Sequence, residues 1–172
     1  AVVGTVSGTS ISFGTPVVYR SGSSDYSSVV FDSSTNKVVV FYQEPNSTAS
    51  SRIGKAVVGT VSGTSISFGS AVTFSSLGQV IQISASFDSN ANKVVVFYTD
   101  NGSGDYGSAK VGTVSGTSIS FGSVAYYNQT YTYYNKAVFD SNANKFVIFY
   151  RNSGNNITAK VGTVSGTSIS FG

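Results

Sequence analysis

The sequence predicts an all-β protein assembled from units of about 50 residues, each a sheet of four antiparallel strands. Three observations predict it. The twelve-residue block VGTVSGTSISFG is written four times without change, at Val3–Gly14, Val58–Gly69, Val111–Gly122 and Val161–Gly172. Between its copies runs a second block, FDSSTNKVVVFY from Phe31, FDSNANKVVVFY from Phe87 and FDSNANKFVIFY from Phe139. Copy-to-copy spacings of 55, 53 and 50 residues fall in the range of propellers, solenoids and other repeat architectures. Helical signals are absent throughout, and the apolar runs are rich in β-branched and aromatic residues.

Each unit opens on a strand ending in FDS, within SSVVFDSS, SASFDSN and KAVFDSN, followed by an Asp/Ser/Asn turn. Small residues at the position of Val29, Ala85 and Ala137 suit a crowded central strand. The second strand is KVVVFY at Lys37–Tyr42, with counterparts at Lys93–Tyr98 and Lys145–Tyr150. It is apolar on both faces, so both faces must be covered by neighbouring sheets. The third and fourth strands, AVVGTVSG and TSISFG, form a hairpin around Ser-Gly-Thr. Ile66 and Phe68 point one way there, Ser65 and Ser67 the other, as in a half-solvated strand. Gly59 and Gly63 thin one face of the preceding strand and leave room for an adjacent sheet.

Four strands graded from apolar inside to half-polar outside describe one blade of a β-propeller. A β-trefoil is the alternative, but a closed threefold object has no place for the fourth copy of the block. The expected division is a half blade over residues 1–20 and blades over 21–75, 76–127 and 128–172. Seven hairpins make three and a half blades, which leaves open sheet edges that template further pairing. Completion of a ring or fibre is therefore expected from further repeats or from copies of the same chain, which reads as a segment or a processed product.

Composition narrows the function classes. Net charge is +3, with 10 basic residues scattered along 172, so the clustered Lys/Arg of a nucleic-acid binder is missing. The chain has no Cys, His, Met or Trp, which removes disulfides, thiolate or imidazole zinc ligands and Ser–His nucleophile systems. No apolar stretch approaches 18 residues, so no membrane insertion is expected. No cofactor is expected either.

Alternate connections of an up-and-down sheet fall on opposite ends. The turns DSSTNK, DSNANK and SGTS share one end and barely vary, whereas RSGSSDYSS, QEPNSTASSRIGK, SSLGQVIQIS, TDNGSGDYGSAK, YYNQTYTYYNK and RNSGNNITAK share the other and diverge. Divergent loops on a repeated scaffold mark a binding surface. The richest loop holds Tyr126, Tyr127, Tyr131, Tyr133 and Tyr134 among Asn128, Gln129 and Asn135. Tyrosine bodies with amide donors and acceptors suit a sugar ring or a protein epitope. Tyr19 and Phe74 are taken to match Tyr126, and the alternative is that Tyr126 and Tyr133 merely cap strand ends.

All three arginines, Arg20, Arg52 and Arg151, also fall at the variable end, where guanidinium groups grip carboxylates. The D-x-N-x-N runs from Asp88 and Asp140 mimic a calcium loop but have Lys93 and Lys145 where glycine is required. They read as hairpin turns, and no metal site is expected. The only Glu is Glu44, so paired-carboxylate chemistry would fall to Asp25, Asp100 or Asp105 in loops, and no enzyme is expected. N-glycosylation sequons stand at Asn46, Asn101, Asn128 and Asn156.

The alternating VGTVSGTSISFG and FDSNANKVVVFY blocks resemble repeat proteins of marine bacteriophages and environmental bacteria. The layout of FDS, turn, KVVVFY and second hairpin also looks like a sialidase-type propeller blade without its Asp-box. The resemblance implies a tail fibre, another virion appendage or a surface adhesin, located extracellularly or on a virion. The leading expectation is a non-enzymatic recognition module that binds a glycan or surface protein. A purely architectural fibre- or shell-forming protein is the second reading, and a sialidase-like glycoside hydrolase the third.

Overall fold

The structure, a computed structural model, describes residues 1–45 and 52–172. It is all-β, with a single 3₁₀ turn at Asn101–Ser103 and no α-helix among the described residues. The first block copy forms an isolated hairpin of β1 (Gly4–Ser7) and β2 (Ser10–Phe13). Sheet I runs β3 (Asp25–Asp32), β4 (Lys37–Pro45), β5 (Arg52–Ser62) and β6 (Ser65–Phe68), with β7 (Val72–Ser75) also paired to β5. Sheet II runs β8 (Val80–Asp88), β9 (Lys93–Asp100), β10 (Tyr106–Ser115) and β11 (Ser118–Phe121), with β12 (Ala125–Tyr131) also on β10. Sheet III runs β13 (Tyr133–Asp140), β14 (Lys145–Arg151), β15 (Ile157–Ser165) and β16 (Ser168–Phe171). No sheet is closed or curled into a barrel.

The strands β7 and β12 were not expected, and their origin is a length mismatch. β5 is 11 residues long and its hairpin partner β6 only 4. Gly59–Ser62 pair with β6, and the unpaired stretch around Gly54–Ala56 takes β7 along the same edge. Buried backbone groups need such partners, so the connecting chain supplies them before it crosses to the next sheet. β12 does the same for β10 and stays with sheet II as far as Tyr131.

Successive sheets lie face to face, and this explains the two-faced VVVFY strands. On β9, Val94, Val96 and Tyr98 pack with Val39, Phe41, Ala56 and Val58 of sheet I. The alternate residues Val95 and Phe97 pack with Phe146, Ile148 and Tyr150 of sheet III. Period-two alternation thus divides one apolar strand between two cores. First strands of adjacent sheets also touch directly. Ala85 N–H donates to Ser28 Oγ at 3.1 Å, and Ala137 N–H donates to Ser84 Oγ at 3.1 Å.

The end opposite the variable loops is held by side chains that recur in the repeats. Asp32, Asp88 and Asp140 each accept two turn N–H groups through Oδ1 and so cap their hairpins. Lys37 donates to Thr60 Oγ1 at 2.9 Å, and Lys145 to Thr163 Oγ1 at 2.8 Å, tying the second strand to the third. Gly59 does not make room for a neighbouring sheet as expected; its face is filled by Ile66 and Phe68 of its own hairpin. The close approach occurs instead at the last glycine of the block. A Cβ on Gly14, Gly69 or Gly122 would meet the carbonyl oxygen of Thr64, Thr117 or Thr167 at 2.0, 2.0 and 1.9 Å. Each block therefore lies against the turn of the next.

Candidate recognition face

The first strand of each of sheets I, II and III is interrupted at the same place, near the variable loops. Pairing registers break between Asp25 and Ser28, between Ile81 and Ser84, and between Tyr133 and Lys136. Within each bulge one non-glycine residue is left-handed: Tyr26 at φ 48°, Gln82 at φ 54° and Tyr134 at φ 54°. Bulky residues rarely adopt this conformation, and clustered exceptions point to function. Bulges also re-aim side chains out of the regular ladder.

Here they converge. A cavity of about 370 Å³ is lined by Tyr26, Gln82, Tyr134 and the residues following each of them, Ser27, Ile83 and Asn135. Gln82 Oε1 accepts the backbone N–H of Tyr134, so the bulges of sheets II and III are joined. Asn135 is buried, and its Oδ1 has no hydrogen-bond partner among the described residues. A neighbouring cavity of about 540 Å³ is lined by Asp25, Tyr26, Gln43, Arg52, Gln79 and Ile81. Arg52 Nη1 lies 2.6 Å from Asp25 Oδ2 and 3.2 Å from Gln43 Oε1, while the Gln43 amide donates to the Val80 carbonyl.

Beside these cavities stands an aromatic cluster. The rings of Tyr131 and Tyr133 are 4.1 Å apart, and Tyr134 is 6.0 Å from Tyr133. The Arg151 guanidinium sits over Tyr133 at 5.3 Å and over Tyr134 at 5.1 Å, within cation–π range. Pairing with the Tyr131 hydroxyl, reinforced by burial and by the charge of Asp105, pushes the Tyr133 hydroxyl up to about 12. It therefore remains a neutral donor and acceptor at ordinary pH.

The sequence-predicted residues thus divide. Tyr131, Tyr133, Tyr134 and Arg151 come together, and Tyr126 stacks edge-on to Tyr106 with centroids 5.6 Å apart. Tyr127 does not belong to the face: it is buried against Phe97, Tyr150 and Phe171. It, and not Tyr126, matches Tyr19 and Phe74, all three standing five residues after the last glycine of a block. The equivalence is physical, because the rings of Phe74 and Tyr127 cover Gly54 and Gly107 in the same way. Asn128 braces its own turn, donating to Thr130 O at 3.1 Å and Thr132 Oγ1 at 2.8 Å.

The three arginines do not form one clamp. Arg20 is bound to Glu44 at 2.6 Å, which also has Lys55 at 3.7 Å. Arg52 rims the larger cavity with Asp25, and Arg151 covers the tyrosines. Sequon Asn46 lies outside the described residues. Tyr26, Gln82, Gln43 and Tyr106 were missed. Tyr26, Gln82 and Tyr134 each stand six residues before the Asp of their FDS block, a constant offset that could have flagged them.

No protein-family model, curated protein or solved structure matches this chain. Among the described residues, no group of three or more acidic side chains could hold a metal, and no helix is long and apolar enough to cross a membrane.

Proposed function

We propose that the chain is a non-enzymatic recognition module of β-propeller type, displayed on a virion appendage or cell surface. It binds a glycan or a surface protein through the face formed by the variable loops. The observation that carries this reading is the convergence of three strained bulges, Tyr26, Gln82 and Tyr134, on one cavity. Exposed tyrosine faces can stack on a sugar ring, while Gln82, Asn135 and Arg52 offer amide and guanidinium groups to its hydroxyls or carboxylate. Among the described residues Asp25 is the one acidic side chain that lines either cavity, and it is engaged by Arg52, which supports binding over hydrolysis.

A glycan array, followed by titration of any hit, tests the reading. Binding should saturate and be lost on replacing Tyr131 and Tyr133 together by Ala, with the circular dichroism spectrum unchanged. Binding that survives the double replacement, or an array and a panel of cell-surface proteins that give no hit, refutes it.

A second reading, an architectural array that extends through its own sheet faces, is favoured by one specific observation. Phe149 and Val161 of sheet III are 49% and 47% exposed, although their counterparts Phe97 and Val111 in sheet II are fully buried. The outward face of sheet III thus has the composition of an internal interface. In this reading further repeats or copies of the chain complete the ring or fibre.

A further inference from the structure

We infer that the N-terminal hairpin is a docking site for a two-stranded β-hairpin of the FDS-turn-KVVVFY type. The inference deepens the proposal that repeats or copies complete the array, and it does not depend on whether the loop face binds a ligand.

Three features of the described residues support it. First, β1 pairs only with β2, whereas the same sequence in β5, β10 and β15 pairs on its other edge with β4, β9 and β14. The internal registers place Val58 opposite Val39 and Val111 opposite Val95, so Val3 is the residue to face such a strand. Val3 O accepts from Gly14 N on the β2 side. Backbone groups of one strand residue point to the same side, so Val2 and Gly4 present theirs to the open edge.

Second, the hairpin already occupies its place in the stack. Gly14 meets the carbonyl of Thr64 as Gly69 meets that of Thr117, and Tyr19 packs on Tyr42 and Phe68. Phe74 stands against Tyr98 and Phe121 in the corresponding way one sheet further on.

Third, an apolar cavity of about 450 Å³ lies between this hairpin and sheet I, lined by Val2, Tyr19, Val29, Val38, Val40 and Ile66. On sheet II the corresponding valines, Val94 and Val96, are fully buried by the alternate residues of β4, Val39 and Phe41. Val29 is 65% exposed, while its counterpart Ala137 is buried and donates its N–H to Ser84 of the preceding sheet. An incoming hairpin that carries serine at the position of Ser28 and Ser84, one residue before that of Val29, offers the Val29 N–H the same acceptor. The occupant is thus defined by pairing register, by a Val-x-Phe apolar face and by one serine, and strand addition to a free edge is an established mode of recognition.

The test is fluorescence anisotropy of a labelled peptide corresponding to residues 80–100, with a lysine tag for solubility, titrated with the 172-residue chain. The inference expects saturable one-to-one binding and none with a scrambled peptide. Val29→Glu places its charge in solvent in the free chain but beneath the docked hairpin, so it should weaken binding about tenfold or more while leaving the thermal midpoint unchanged. Phe149→Glu, on the outward face of sheet III, should leave binding unchanged. Absence of binding, equal binding by Val29→Glu, or loss of binding with Phe149→Glu alone would each overturn the inference. Failure here leaves the glycan-array result untouched, and the reverse also holds.

Discussion

The carbonyl oxygen of Thr117 lies so close to Gly69 that a Cβ built on the glycine would stand 2.0 Å from it. The contact recurs between Gly122 and Thr167 and between Gly14 and Thr64, while Gly172, in an identical block, has nothing within 4 Å. One sequence position therefore exists in two environments, which makes the repeat its own control.

Gly69→Ala and Gly122→Ala should each destabilise by about 1–3 kcal/mol, because the opposing atoms are backbone and cannot turn aside. Gly172→Ala should be neutral. Thermal or denaturant unfolding of the three variants checks this, and equal effects would remove the sheet-to-sheet contact.

A similar contrast separates Phe97 from Phe149. Phe97 is fully buried between sheets II and III, and its replacement by Ala should lower stability by about 3–5 kcal/mol. Phe149→Ala, half exposed at the same position of its repeat, should lower it by less than about 1 kcal/mol.

Much of this was legible in the chain. The two-faced VVVFY run required covered faces, and the repeat period set the number of sheets. Legibility stopped where tertiary packing decides between neighbours. Tyr126 and Tyr127 are adjacent and chemically identical, yet one reaches the loop face and the other roofs Gly107 in the core. The bulges put tyrosine or glutamine, and not glycine, at the left-handed positions Tyr26, Gln82 and Tyr134, so it is their constant distance from FDS that carries the signal.

Tyr127 carries a further expectation. Its hydroxyl is buried without a hydrogen-bond partner among the described residues, and Phe74 occupies the equivalent place in sheet I. Tyr127→Phe should therefore stabilise the protein by about 1 kcal/mol.

Alkali should unfold the protein. Burial holds the Tyr98 and Tyr127 hydroxyls above the usual tyrosine value, so the folded state keeps their protons more tightly than the unfolded chain. The stability they contribute is full below about pH 10 and falls above it by about 1.4 kcal/mol per pH unit for each residue. Denaturant titrations between pH 9 and about pH 12 should show this slope, and Tyr127→Phe should reduce it.

The most direct test of the stacked-sheet arrangement is native-state hydrogen exchange resolved by peptide. β4, β9 and β14 have nearly the same sequence but different cover: sheet II has a full sheet on each face, sheet III on one. Amides of β9 should exchange slowest, those of β14 faster, and those of β1 and β2 fastest of all. Equal protection of β9 and β14, or slowest exchange in β14, would contradict the arrangement.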